Sequence, residues 1–251
     1  MRRAGTRSCA ADMHRFFTTE IQPNSATVRG DDVKHIAKVL RLKPGDTVQL
    51  CDGDGRECEA EISSISPDSV QFRTQTWRES LTEPKTRVVL FQCLPKAGKM
   101  ETIIQKCVEL GADGFVPVRS ERCVVVLKPP YEGRIERWQR VSEEAAKQSR
   151  RGRIPKVELP CALDKLSFAA FQTVLVAYEN ERTVSLKSAL QRAKGTDSIA
   201  LLIGPEGGFS ESEISLLEQR GAVSVSLGPR ILRTETAGMA ALAQILYEVE
   251  L

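Results

Sequence analysis

The C-terminal part of the chain has the clearest hydrophobic pattern. Residues 199–203 are apolar at every position, which predicts a strand buried on both faces of a parallel sheet. Ser210 and Glu213 have the spacing of a capping box, so a helix is predicted directly after them. Residues 222–227 predict a second strand, and a helix of small and apolar residues is predicted from about Thr234 onward. This order of elements is typical of an open α/β sheet with a ligand crevice at the carboxyl ends of its strands.

The first part of the chain predicts a small β-rich unit. Residues 14–21 suit a first strand, and the apolar spacing over 33–40 indicates a short helix. Residues 47–51, 57–65 and 69–73 predict three strands that are joined by turns.

Farther along, strands alternate with helices, which predicts an α/β domain. The predicted strands are 87–93, 115–118, 123–127 and 173–178; the predicted helices are one that ends at Gly111 and one over 131–151. The expected organisation is a disordered extension or misassigned start at 1–12, a β domain at 13–76, a linker at 77–85 and the α/β domain at 86–251.

Charge is distributed unevenly along the chain. The net charge is only +3, yet residues 119–156 hold 11 basic against 5 acidic side chains. Such a local excess favours binding to a phosphate backbone, although charge runs are usually solvated helix faces. Aromatic residues make up 5% of the chain, which argues against a platform on which bases stack.

The cysteine and histidine pattern argues against disulfides and metal sites. The seven cysteines include no C-x-x-C pair, and the two histidines lie 21 residues apart in the sequence. We therefore expect buried thiols in a reducing cytoplasm and no metal. No apolar run approaches the length that spans a membrane, so no membrane segment is expected.

Two glycine-containing loops carry the candidate chemistry. Residues 204–210 read GPEGGFS and residues 227–237 read LGPRILRTETA. Neither loop has the Lys-Ser/Thr pair of a phosphate-binding loop, and G-x-G-x-x-G is absent. An acidic residue within a glycine turn favours a cationic or neutral ligand.

These two loops and the segment 96–111 together resemble the RsmE family. Its members are small-subunit rRNA uridine N3-methyltransferases of the SPOUT superfamily that use S-adenosylmethionine. The resemblance implies a SPOUT methyltransferase domain of α/β class with a C-terminal trefoil knot, preceded by a small PUA-like β-barrel that binds RNA. It also implies a homodimer, with 16S rRNA or the small ribosomal subunit as partner.

The resemblance places the cofactor pocket in the two loops. The residues expected to bind S-adenosylmethionine are Leu202, Ile203, Gly204, Pro205, Glu206, Gly207, Gly208, Leu227, Gly228, Ile231, Leu232, Thr234 and Ala237. The residues expected to contact RNA are Arg41, Lys96, Lys99, Arg119, Arg122, Arg150, Arg151, Arg153 and Arg230.

Uridine N3 carries a proton and is nucleophilic mainly as its anion, so a site must remove that proton or stabilise the charge that remains. Arg233 is the first choice for stabilising the anion. Glu206 and Glu235 are possible bases, but a turn-forming acid and an acid at a helix N-terminus are alternative interpretations. The sequence leaves the base undetermined.

Two other functions remain open from the residues. A SPOUT ribose 2′-O-methyltransferase would need only hydroxyl activation, and a non-catalytic RNA-binding relative would retain the fold alone. The ILRTETA segment and the PUA-like N-terminal region favour the uridine hypothesis, and the intact loops speak against a non-catalytic protein.

Overall fold

The computed structural model describes residues 13–96, 98–125, 127–193 and 195–250. They form two compact units. The first unit comprises the described residues of Met1–Glu83 together with Arg150–Arg153, and the second comprises the described residues of Pro84–Ser149 and Ile154–Leu251. The predicted extension at 1–12 lies outside the described residues. The short segment Arg150–Arg153, which the sequence analysis placed in the α/β domain, belongs to the first unit.

The first unit is built on one mixed sheet. The strand order is β1-β4-β5-β6-β3-β2, with β7 paired to β5; β1 and β4 are parallel and the other pairs are antiparallel. The strands are β1 (Arg15–Phe17), β2 (Glu20–Gln22), β3 (Ser25–Arg29), β4 (Thr47–Cys51), β5 (Arg56–Ile65), β6 (Ser69–Thr74) and β7 (Arg78–Glu79).

Two predictions for this unit need correction. The single strand expected at 14–21 is two strands, because Thr18 Oγ1 accepts the backbone N–H of Glu20 and turns the chain between them. The helix expected at 33–40 is a four-residue α-helix, α1 (Asp31–Lys34), followed by a π-helix at His35–Val39. Its buried Ile36 packs into the apolar core on one face of the sheet.

The second unit contains a parallel sheet. The strand order is β10-β9-β8-β13-β12-β14, with β11 paired to β9, and every pair is parallel. The central strand β13 is buried at all of its positions, as its apolar run predicts. The strands are β8 (Arg87–Cys93), β9 (Gly114–Arg119), β10 (Lys156–Val157), β11 (Cys161–Ala162), β12 (Thr173–Ala177), β13 (Ser198–Ile203) and β14 (Val223–Val225).

Five α-helices accompany this sheet in the described residues. The predicted capping box is present at α5: the Ser210 hydroxyl accepts the N–H of Glu213, whose carboxylate accepts the N–H of Ser210. The helices are α2 (Lys99–Glu109), α3 (Glu132–Gln148), α4 (Leu186–Arg192), α5 (Glu211–Gln219) and α6 (Thr234–Glu250).

The strand predicted at 123–127 is wrong for the residues that are described there. After β9 the chain turns at Ser120, whose carbonyl accepts the N–H of Cys123. The N–H of Glu121 donates to Glu213 Oε1 at 2.7 Å, so the segment binds the start of α5 and not a sheet edge. The α/β class of the second unit is confirmed; the trefoil knot stays a prediction.

Candidate functional site

A cavity lies where three parallel strands end. Ala177 pairs with Ile203 and also with Val225, so β12, β13 and β14 end at the same level of the sheet. The segments that follow these strands enclose a cavity of about 590 Å³. The carboxyl ends of parallel strands are where open α/β sheets bind ligands.

Backbone geometry shapes the loop after β13. Gly208 has φ +67°, and a Cβ there would collide with the carboxylate of Glu179. Gly207 lacks a positive φ, but a Cβ would lie 3.2 Å from Cβ of Arg122. Glycine is therefore needed for different reasons at the two adjacent positions. Gly208 needs it for its backbone conformation and to avoid Glu179, whereas Gly207 needs it because Arg122 packs closely against it.

The expected cofactor residues line this cavity, with one exception. Leu202 is buried in the core because its side chain points away from the cavity side of β13. The lining also includes residues that were not among those expected to bind the cofactor. The sequence did predict β12. Because parallel neighbours end at the same edge of the sheet, the residues that follow β12 could have been expected to line the same cavity. The additional residues are Ala177, Tyr178, Glu179, Arg182, Ser226 and Pro229; Lys99, Arg230 and Arg233 line the cavity as well.

Lys99 is the first residue of α2, and its ammonium lies between two carboxylates. Lys99 Nζ is 3.0 Å from Glu206 Oε1 and 3.0 Å from Glu235 Oε2. The same Glu206 oxygen accepts the backbone N–H of Lys96 at 3.1 Å. The buried Glu235 Oε2 accepts no aligned hydrogen bond from the described residues, so its contact with Lys99 is an ion pair only.

These contacts keep both carboxyl groups ionised. Burial alone would raise the pKa of Glu206, but the N–H of Lys96 and the ammonium of Lys99 bring it below the ordinary value. The pKa of Glu235 is lowered first by its own backbone N–H and further by Lys99, against the opposing effect of burial. The pKa of Lys99 is raised by Glu206 and Glu235. Each of the two glutamates is therefore a weak proton acceptor at neutral pH.

A buried hydroxyl connects the loop after β13 to α6. Thr234 Oγ1 donates to the carbonyl oxygen of Gly204 at 2.6 Å and accepts from Gln92 Nε2 at 2.9 Å. Gln92 is fully buried at the end of β8, and its Oε1 has no hydrogen-bond partner among the described residues. The hydroxyl thus joins the ends of two strands to the first turn of α6.

Two arginines line the cavity with exposed side chains. Arg233 directly precedes α6, and its carbonyl oxygen accepts the N–H groups of Thr236 and Ala237. Arg230 lies three residues before it in the same loop. Neither guanidinium forms an ion pair within the described part of the chain.

The other basic residues of the second unit differ in their surroundings. Arg122 Nη1 donates to the carbonyl oxygen of Gly207 at 3.1 Å, so Arg122 braces the cavity loop. Lys96 and Arg119 are exposed at the carboxyl ends of β8 and β9. Lys99 was expected to contact RNA, but its ammonium forms ion pairs with Glu206 and Glu235.

The basic cluster at 150–153 has a structural role within the first unit. Arg151 is 3% exposed and lies 2.7 Å from Glu83 Oε2, so the expectation that it contacts RNA is corrected by its burial. Arg153 Nη2 donates to the carbonyl oxygen of Asp54 at 3.3 Å. Arg150 is exposed with φ +62°, and Arg41 in the same unit is exposed with φ +55°.

The described residues contain neither a candidate metal site nor a candidate membrane-spanning helix. No group of three or more His, Cys, Asp or Glu residues there could hold a metal ion. None of the helices among those residues has both the length and the apolar character needed to cross a membrane.

Both parts of the chain match known protein families. A family described as "RNA methyltransferase domain" matches residues 82–246, and one described as "RNA methyltransferase PUA domain" matches residues 28–75. The first of these matches covers more than half of the chain and contains every residue that lines the cavity.

Individual relatives extend over almost the whole chain. The chain is 38% identical to ribosomal RNA small subunit methyltransferase E of Bacillus subtilis, over 95% of this chain and 98% of the relative. It is 30% identical to the solved structure of that enzyme from Neisseria gonorrhoeae bound to S-adenosyl methionine, with TM-score 0.82 over 95% and 98% of the two chains. A methyltransferase from Legionella pneumophila in complex with SAM is also 30% identical, with TM-score 0.82 over 94% and 98%. The chain therefore belongs to the ribosomal RNA small subunit methyltransferase E family, the RsmE family that its loops resemble.

Proposed function

We propose that this chain transfers a methyl group from S-adenosylmethionine to N3 of a uridine in 16S rRNA. The observation that carries the proposal is the cavity of about 590 Å³ at the ends of β12, β13 and β14, which both glycine loops line. The solved relatives from Neisseria gonorrhoeae and Legionella pneumophila are both bound to S-adenosylmethionine.

The cavity lining fits this cofactor. Residues 204–208 and 227–232 line the cavity, and their backbone amides and carbonyls would hold the cofactor beside apolar side chains such as Leu232. Glu179, which lines the cavity, suits a ligand that carries a sulfonium cation. The basic side chain of Arg182 would suit the carboxylate of the same zwitterionic ligand.

S-adenosylmethionine supplies a methyl group that is already activated for transfer. The acceptor is the harder partner, because uridine N3 must lose its proton and leave negative charge on the uracil carbonyl oxygens. Arg233 lines the cavity with an exposed side chain, and its guanidinium would donate hydrogen bonds to such an acceptor. We assign the stabilisation of this anion to Arg233 and no proton transfer to Glu206 or Glu235.

RNA binding is assigned to exposed basic residues of both units. Arg41 and Arg150 belong to the first unit, whose residues 13–76 form the proposed PUA-like RNA-binding domain. In the second unit, Lys96 and Arg230 lie in segments that follow parallel strands, and Arg119 is the last residue of β9. Phosphate contacts of this kind position an RNA without reading its sequence.

Nucleoside analysis tests the proposed reaction. The purified protein is incubated with S-adenosylmethionine and small ribosomal subunits from a strain that lacks the gene, and the rRNA is digested for mass spectrometry. We expect one N3-methyluridine per subunit. A 2′-O-methylated nucleoside would contradict the assignment to uridine N3, and an absence of methyl transfer together with absent cofactor binding would indicate a non-catalytic RNA-binding protein.

A homodimer is part of the proposal. Thr236, Ala240, Ala243 and Tyr247 are spaced by three and four residues, so they share one face of α6. Tyr247 is 70% exposed, and Ala243 is exposed beside it. A second copy would cover this small and apolar face. Sedimentation analysis should find a dimer, and Ala243→Glu should give a folded monomer.

The proposed location is the cytoplasm. The six described cysteines, Cys51, Cys58, Cys93, Cys107, Cys123 and Cys161, are free thiols. Free thiols are typical of a reducing compartment, and 16S rRNA is a cytoplasmic substrate. Cell fractionation with an antibody against the protein tests this assignment.

A further inference from the structure

We propose that Lys99 is a positioning residue that holds the loop after β13 against the first turn of α6 by pairing with Glu206 and Glu235. This inference rests on the proposed function, because it assigns the cavity beside these residues to the cofactor. Both Nζ–oxygen distances are 3.0 Å. The three side chains come from the start of α2, from the loop at 204–210 and from the start of α6, so one ammonium joins three separate segments.

The two glutamates depend on this cation for their mutual position. Their side chains are only 22% and 21% exposed, so water screens their negative charges incompletely. Without Lys99 the two carboxylates would repel each other. Alternatively, Glu235 would pair with Arg233, which lies two residues before it in the sequence. Either response would move the loop or the helix start that lines the cavity.

Other charged groups around the pair do not replace Lys99. The backbone N–H of Lys96 satisfies one oxygen of Glu206, but it carries no full charge. Arg233 contributes to the lowered pKa of Glu235, although less than Lys99 does, and forms no ion pair within the described residues. Because Lys99 is the ion-pair partner of both glutamates, Arg233 keeps its guanidinium available for the substrate.

This role differs from the two simpler roles for these residues. A phosphate contact requires an ammonium that is available to RNA, whereas Lys99 Nζ is already paired twice. A general base requires a carboxylate that accepts a proton near neutral pH, whereas the pKa values of Glu206 and Glu235 are below their ordinary range.

The test compares Lys99→Met and Lys99→Arg with Lys106→Met. Lys106 is the matched control, because it lies in the same helix and its Nζ forms an ion pair with Glu109 Oε1 at 2.8 Å. Neither Lys106 nor Glu109 lines the cavity. Hydrogen–deuterium exchange of the protein without cofactor is measured first. We expect the amides of 204–210 and 234–237 to exchange about tenfold faster in Lys99→Met, as for a local opening made easier by about 1.4 kcal/mol. Exchange should be unchanged in Lys106→Met and near wild type in Lys99→Arg.

Cofactor and RNA binding provide the second measurement. Lys99→Met should weaken S-adenosylmethionine binding by about tenfold, with the salt dependence of RNA binding unchanged. Unchanged exchange in Lys99→Met, or a salt slope reduced by about one unit with cofactor affinity intact, would overturn the positioning role. If the exchange effect appears but wild-type protein binds no cofactor, the positioning role stands and the proposed function fails.

A double-mutant cycle remains decisive if Lys99→Met is poorly folded. Lys99→Gln, Glu235→Gln and their combination are compared by the exchange rates of the same amides. We expect the opening free energy calculated from these exchange rates to fall less in the combined variant than the sum of the decreases in the single variants, because either change removes the same ion pair. Additive effects would show that Lys99 and Glu235 act independently and would overturn the inference.

Discussion

Thr234 Oγ1 donates a 2.6 Å hydrogen bond to the carbonyl oxygen of Gly204. This contact joins the first residue of α6 to the first residue after the central strand β13, across 30 positions of sequence. Gln92 Nε2 completes the arrangement from β8 by donating to the same hydroxyl. The cavity loops are therefore anchored at their buried ends by one side chain.

Replacing Thr234 with Val should destabilise the second unit. The substitution keeps the shape but leaves the buried Gln92 amide and the Gly204 carbonyl without this partner, at a cost of about 1–3 kcal/mol. Urea unfolding measures the change in the free energy of unfolding. Thr234→Ser keeps the hydroxyl and serves as the control, with most of the stability retained. A Val variant as stable as wild type would show that the hydrogen bond contributes nothing net.

Replacing Gly208 with Ala should weaken cofactor binding. The left-handed conformation at φ +67° costs a residue with Cβ about 1–2 kcal/mol, and the Cβ would also displace the carboxylate of Glu179. Gly221→Ala is the matched control, because Gly221 has φ +87° with no atom within 4 Å of its added Cβ. Calorimetry with S-adenosylmethionine should show lost affinity for Gly208→Ala alone. Equal affinities for the two variants would argue that Gly208 does not shape the pocket.

Arg233→Lys should lower turnover by about 10²–10³, the scale for losing one preorganised donor. Cofactor affinity should change little, because a lysine keeps the positive charge but not the planar fork. Single-turnover kinetics and calorimetry separate the two quantities. An equal loss of affinity and turnover would make Arg233 part of the pocket scaffold and transfer the anion-stabilising role to Arg230 or to backbone amides.

The rate should rise with pH through neutrality, because N3 must lose its proton. The lowered pKa values of Glu206 and Glu235 mean that both are deprotonated already at pH values below neutrality. Their pairing with Lys99 is therefore lost only in acid, as the pH falls through those lowered values. Glu206→Gln and Glu235→Gln should each keep the rise around neutrality. A rise that disappears in either variant would identify that glutamate as the base.

Arg151 and Arg150 should respond differently to neutralisation. Arg151→Gln removes the partner of Glu83 in a pair whose side chains are 4% and 11% exposed, so we expect a loss of about 3 kcal/mol in stability. Arg150→Gln should cost less stability, because the Arg150 side chain is exposed, and should reduce the salt slope of RNA binding by about one unit. Denaturation and binding titrations at several salt concentrations test both. A lower slope for Arg151→Gln in a fully folded protein would restore it as an RNA contact.

Cys123 should be the most reactive described thiol. A hydrogen bond with Cys93 is the main cause that lowers the pKa of Cys123 to about 6, whereas burial raises the pKa of Cys107 to about 12. Because the thiolate is the nucleophile, alkylation of Cys123 by iodoacetamide should rise through pH 6 and then level off. Peptide mass spectrometry follows each cysteine, and Cys123→Ser is the control. A rate that rises only near pH 9 would contradict the lowered pKa.

Local sequence signals predicted many of the elements and the α/β class, and the two loops carried the resemblance to the family, but the helix Leu186–Arg192 and the short strands Lys156–Val157 and Cys161–Ala162 were not predicted. The apolar run at 199–203 predicted β13 because a strand buried on both faces needs apolar side chains on both. Ser210 and Glu213 predicted the start of α5 because a capping box is a contact within one turn. The same local reasoning failed at 123–127, where the bond from the Glu121 N–H to Glu213, 92 positions away, directs the chain.

Only the tertiary structure decided what the charged residues do. Lys99 and Glu206 are 107 positions apart, and the sequence alone suggested a phosphate contact for one and a base for the other. Arg151 belongs to a run of basic residues that the sequence analysis expected to be exposed. It is instead buried against Glu83, which lies 68 positions away in the sequence. The role of a charge depends on which opposite charge lies within a few ångströms and how much water surrounds the pair. The distance to an opposite charge and the exposure of the pair to water both depend on how distant segments of the chain pack. The sequence therefore identified the two loops, but only the tertiary structure showed which partners their charged side chains have.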